Sequence, residues 1–171
     1  MVIVCSPPEV KGELRIHSCP KIICKPIEWA LSELFRTNIT LSWLEQPIAP
    51  TTFSTEIKWT GQFGLCSRLV STLSHWPKIR LEALQENYKD YPAERYALTP
   101  NLGIFRAEIN SLGETIITEN RLKAALERCR LENEPFEVEL AFLLGTPWDE
   151  DLEPFRKSYV NSNLKWISKI S

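Results

Sequence analysis

No stretch of this 171-residue chain approaches the about 20 consecutive apolar residues that cross a bilayer. The opening MVIVCSPPEVKG has a short apolar patch with no basic residues before it, so it is not expected to act as a secretory leader. Charge of one sign is also lacking. A formal net charge of −2 gives no basic face for nucleic acid. The glycine patterns that cradle phosphates, G-x-G-x-x-G and G-x-x-x-x-G-K-[ST], do not occur. Cysteines number five, scattered and odd, which does not suit a secreted disulfide framework. These absences lead us to expect a soluble cytoplasmic protein that binds neither nucleic acid nor membrane.

What is present reads as a folded α+β chain, 43% hydrophobic and 25% charged. GELRIHS alternates, with Leu14 and Ile16 on one face and Glu13, Arg15 and His17 on the other. KPIEWALSELFR has helical spacing, with Pro26 suited to the first helical position. NITLSW and TTFSTEIKWT alternate again, LCSRLVSTLSHW is helical, and KIRLEAL alternates. The order βαββαβ predicts a ferredoxin-like antiparallel sheet with helices on one face. The other face would carry Glu13, Arg15, His17, Thr40, Ser42, Ser54, Glu56, Lys58, Arg80 and Glu82. It would meet water, a partner or the rest of the chain.

The expected organisation is an N-terminal extension (1–11), the ferredoxin-like module (12–85) and a polar linker (86–95). A C-terminal part (96–171) would follow, with a β-hairpin and a helical extension packed on the first module. RYALTP, GIFRAEI and TIIT read as short strands. Thr118 is placed to cap a helix with the stripe Leu122, Ala125, Leu126 and Cys129, and Gly145 to end the next one. LKWISKI is a last apolar stretch.

His17 and Cys19 could form a thiol–imidazole dyad, since residues two apart on a strand share a face. No orienting third residue can be assigned. His17, Cys19 and Cys24 lack the fourth ligand of a structural zinc site, so no metal and no cofactor are expected. The GQFG turn before the second helix could receive an anion on free N–H groups, although two glycines also make an ordinary turn. The expected strand aromatics Trp43, Phe53 and Trp59 fall on the helix side. That leaves no stacking platform of the kind single-stranded RNA uses.

TPWDEDLEPFR, Thr146 to Arg156, packs four carboxylates beside Trp148 and Phe155. With Thr146 as cap and Pro147 at the first position, it predicts a short helix anchored by Trp148, Leu152 and Phe155. Its carboxylates would stay wet, favoured near the N-terminus by the helix dipole. The residues expected to bind are His17, Ser18, Trp148, Asp149 and Arg156, with no catalytic residue assigned. The partner would be another protein, a second copy or a small ligand. The competing reading is a small enzyme pairing His17 with a carboxylate of Asp149 to Glu153 as acid and base.

As a set, IHSCP, KPIEWAL, LSWLEQPIAP, YALTPNLGIF and GTPWDEDLEPFR are similar to a family of small conserved actinobacterial proteins of unknown function. The resemblance runs from about Leu14 to Ile170. It rests on His-Ser-x-Pro, Pro-x-x-Glu-Trp-Ala and Gly-x-Pro-Trp-Asp, and it implies a bacterial cytoplasmic setting. Cys19 departs from that pattern, where a small residue stands.

Overall fold

The computed structural model describes residues 8–158. Cys5, most of the expected N-terminal extension and the LKWISKI stretch lie outside the described residues. In chain order the elements are β1 (Glu9–Pro20), α1 (Lys21–Phe35), β2 (Leu44–Glu45), β3 (Thr52–Gln62), α2 (Leu65–Leu73) and β4 (Arg80–Gln85). Then come β5 (Ala93–Thr99), β6 (Gly103–Ile109), β7 (Thr115–Ile116), α3 (Glu119–Glu132), α4 (Phe136–Leu144) and α5 (Thr146–Lys157).

All the strands pair antiparallel in one sheet of order β2-β3-β1-β4-β5-β6-β7. This seven-stranded order differs from the four-stranded sheet expected. β5 pairs along β4, from Leu81↔Leu98 to Gln85↔Glu94, and so carries the hairpin into the same sheet. The helices are also not confined to one face. Alternation puts Leu14, Ile16, Leu81, Ala83, Tyr96 and Leu98 under α1 and α2, where they pack with Ile27, Leu31, Leu69 and Leu73 in the main core. A second, smaller core forms on the reverse face, where Ala97, Phe105 and Ala107 meet Trp148 and Leu152 of α5.

Local differences have local causes. NITLSW does not form a strand, and β2 is only Leu44–Glu45. Side chains of α1 take the donors a ladder would have used. Ser32 Oγ accepts from Ile39 N at 2.8 Å, while Glu28 Oε1 accepts from Leu41 N at 3.1 Å and from Trp43 Nε1 at 3.0 Å. Ile39, Leu41 and Trp43 still pack on the main core. α1 begins at Lys21, so Pro26 is inside the helix and costs it one backbone bond.

β1 carries a bulge. Ile16 faces Thr55 and Cys19 faces Phe53, so His17 and Ser18 together oppose Ser54. The extra residue resets the alternation. Cys19 turns into the main core, 3.8 Å from Cys24 Sγ, while His17 points to the other face. The thiol–imidazole dyad is thereby removed, because the strand is not regular between its two members.

Gly145 joins α4 to α5 at φ +85°, and a β-carbon there would come within 2.6 Å of the Phe105 ring. Only glycine meets both conditions. Gly145→Ala is expected to cost about 1–3 kcal/mol, read as a lowered midpoint in urea or thermal denaturation.

Candidate functional site: a buried charge cluster under the last described helix

α5 crosses the polar face of the sheet and covers it. The helix starts one residue earlier than expected, with Gly145 as N-cap, and Trp148, Leu152 and Phe155 are its buried residues. Trp148 Nε1 donates to the Gly103 carbonyl of β6 at 2.9 Å, and its ring lies 5.2 Å from that of Phe105. Those anchors place Asp149 and Arg156, seven residues apart, over β4 and β5.

Glu82 of β4 is the centre of what they meet. Arg156 holds it with two bonds, Nε to Oε2 at 3.0 Å and Nη2 to Oε1. Arg95 of β5 reaches Glu82 Oε1 at 3.3 Å and also binds Asp149. Arg156 Nη2 closes the ring on Asp149 Oδ1 at 2.7 Å. His17, fully buried, places Nε2 2.8 Å from Glu82 Oε2. Two guanidiniums and two carboxylates make a neutral tetrad, with the imidazole at its inner edge.

The charge states follow from this geometry. Burial lowers the His17 pKa and outweighs the pull of Glu82, so the ring is neutral and donates through Nε2–H. Burial alone would raise Glu82, but the hydrogen bonds from His17 and Arg156 and the charge of Arg156 outweigh it and hold the carboxyl well below its usual range. Arg156 is raised, its carboxylate partners overcoming burial. His17 Nδ1 and Arg95 Nε are buried without a hydrogen-bond partner among the described residues. The bulge is held from the other side: Gln46 Nε2 donates to the His17 carbonyl at 2.7 Å, and Ser158 Oγ donates to Gln46 Oε1 at 2.7 Å.

Three of the five residues expected to bind, His17, Asp149 and Arg156, therefore join one network. Trp148 anchors it from the neighbouring position, and Ser18 is buried on the bulge. The carboxylate on His17 is Glu82, and no hydrogen bond joins His17 to Asp149–Glu153 among the described residues. The expectation of wet carboxylates holds for Glu150, which is exposed, and is corrected for Asp149 and Asp151. Asp149 is bound by Arg95 and Arg156, and Asp151 accepts from Arg80 Nε at 3.0 Å. A helix over a charged sheet face offered them partners that the helix dipole alone did not predict. Arg95 was missed. Its signal is an arginine on the same strand face as Ala97 and Thr99, opposite Tyr96 and Leu98.

The cluster makes the fold acid-sensitive. An unfolded His17 protonates near its ordinary 6.5, whereas the folded one resists. Stability is thus fully present above pH 6.5 and is lost as pH falls toward the lowered folded value. Glu82 adds a second loss below its ordinary 4.5, in the same direction. The urea midpoint should fall from pH 7 to pH 5, and His17→Gln should flatten that part of the profile. Glu82→Ala, which leaves Arg95 and Arg156 sharing Asp149 as their common counter-charge, should cost about 3–5 kcal/mol in urea denaturation at neutral pH.

No curated protein and no solved structure matches the chain. A family of unknown function does, over residues 14–169, which takes in the bulge, the Glu82 cluster and α5. The chain belongs to that family, described as "protein of unknown function (DUF3145)".

Proposed function

We propose that this chain is a non-enzymatic binding protein, and that its partner is a second copy of itself docked through the α3–α4 hairpin. One observation carries the reading. Seven of the nine residues of α4, FEVELAFLL, are apolar, yet only Leu143 is buried. Val138, Phe142 and Leu144 are exposed at the surface, as are Leu122, Leu126 and Leu131 of α3. The stripe expected to bury α3 is covered only at Ala125 and Cys129. Exposed apolar surface of this extent on a folded chain marks an interaction site.

Charge favours a second copy as the occupant. α3 carries four cations against three carboxylates, while α4 carries Glu137 and Glu139 and no cation. A two-fold arrangement sets each α3 against the partner's α4, pairing the net-positive helix with the negative one. Two helical hairpins joined this way bury both apolar faces in a four-helix bundle. The bridge from Arg128 to Glu139 at 3.1 Å fixes the hairpin's own register.

The sealed position of His17 supports a non-enzymatic reading, since the Glu82 cluster fastens α5 and leaves the imidazole no solvent-facing side. On the same reading residues 12–85 are a ferredoxin-like module and 96–171 the partner-facing part, joined through 86–95, whose last three residues already belong to β5. The order β2-β3-β1-β4 with α1 and α2 on one face supports that division. A bacterial cytoplasmic setting suits the four described cysteines, all free. No helix among the described residues is long and apolar enough to cross a membrane.

Light scattering behind size exclusion should return twice the chain mass at micromolar concentration. Phe142→Glu should return the single mass with an unchanged circular dichroism spectrum. A monomer at every concentration overturns the second copy as the partner.

A further inference from the structure

The bulge in β1 has a second product besides the placement of His17. By turning Cys19 inward it brings that thiol against Cys24, the two Sγ atoms lying 3.8 Å apart. Between them the chain turns from strand to helix at Pro20, the N-cap of α1, at φ −60° and ψ 143°. Cys24 falls in the first helical turn and folds back over the end of β1, its Sγ also 3.8 Å from the Pro20 carbonyl. A regular strand would have aimed Cys19 at the opposite face, with His17 and away from α1. Two thiols already in contact need only a small approach to reach the about 2.05 Å of a disulfide bond.

Burial raises both thiols above their ordinary pKa, so in the closed core neither is a ready nucleophile. Access comes from how weakly the first turn of α1 is held. Pro20 supplies no side-chain cap, and no acidic residue stands in that turn. Pro26 lacks the N–H that would have bonded the Ile22 carbonyl, so the turn loses a tie to the next one. Ile22 is 83% exposed and contributes little to the core. Local opening of such a segment costs less than global unfolding. It frees Cys24, which is 8% exposed against 0% for Cys19. The charge of Lys21, three residues before, favours the Cys24 thiolate.

We propose that Cys19 and Cys24 are a redox modification site, a dithiol that closes to an intramolecular disulfide by exchange with a small-molecule disulfide. The Cys24 thiolate attacks one sulfur of the reagent, forming a mixed disulfide and releasing one thiolate. The Cys19 thiolate then attacks Cys24 Sγ, which forms the internal bond and expels the second. Two electrons pass from the cysteine pair to the reagent, and the two thiol protons leave on its two halves. The product ties the first turn of α1 to the end of β1, next to the bulge that carries His17.

The test incubates the folded full chain with oxidised glutathione, then unfolds it, alkylates the remaining thiols and maps the peptides by mass. Cys19 and Cys24 should escape alkylation together, lighter by two hydrogens, in a chain of unchanged size, and dithiothreitol should restore both. Cys19→Ser should stop the reaction at a glutathione adduct on Cys24. Pro26→Ala, which supplies the missing N–H, should slow closure at least threefold, with circular dichroism as the folding control. Should Cys19→Ser fail to fold, the parent's peptide map and the Pro26→Ala rate decide. The proposal is overturned if both cysteines stay open to alkylation, if closure occurs only in urea, or if the parent stops at the adduct. It is equally overturned if either cysteine bonds elsewhere, if folded Cys19→Ser gives no adduct, or if Pro26→Ala closes as fast as the parent.

Discussion

The bond between Glu82 and Arg156 is the constraint on which the second half of the structure depends. A glutamate in the middle of a central strand would be costly if α5 covered it without a partner. Arg156 meets it with two hydrogen bonds, Arg95 with a third, and Asp149 returns the balance to neutral. Hydrophobic contact at Trp148, Leu152 and Phe155 supplies attraction without direction. The charged ring supplies the direction, because only one rotation and one translation of α5 satisfy all four groups.

That division of labour explains why a single sheet can hold two cores of different character. The face under α1 and α2 is predominantly apolar, and its helices are placed by packing. The reverse face is apolar only toward β5 and β6, and toward β1 and β4 it is ionic. The bulge at His17 and Ser18 serves both sides, returning Cys19 to the apolar layer while leaving His17 on the ionic one. A regular strand could not have done both.

How much of this was legible depended on whether the cause was local. Alternation along β1, β3 and β4 fixed the faces of Leu14, Glu13 and Glu82, and the 4-and-3 spacing of Trp148, Leu152 and Phe155 gave the buried side of α5. His17, Asp149 and Arg156 were noted as a group, but the residue that unites them, Glu82, was read only as one more polar position. Its partner Arg156 is 74 residues away, and nothing local marks such a pairing. The missing strand at NITLSW failed for the same reason: its donors are taken by Glu28 and Ser32 from another element. The bulge was invisible because one added residue leaves a sequence still alternating on either side of it.

The separation between Glu82 and Arg156 also sets a sequence of events in time. α5 is the last described element, so during synthesis the strands that carry His17, Glu82 and Arg95 exist well before their cover. At roughly 5–20 residues per second, the interval is about 4–15 s. For that time the reverse face is open to water, and its charges are what make the wait tolerable. An apolar face left bare as long would invite association with other nascent chains. A closed ion cluster is thus a cost in the finished fold that doubles as protection on the way to it.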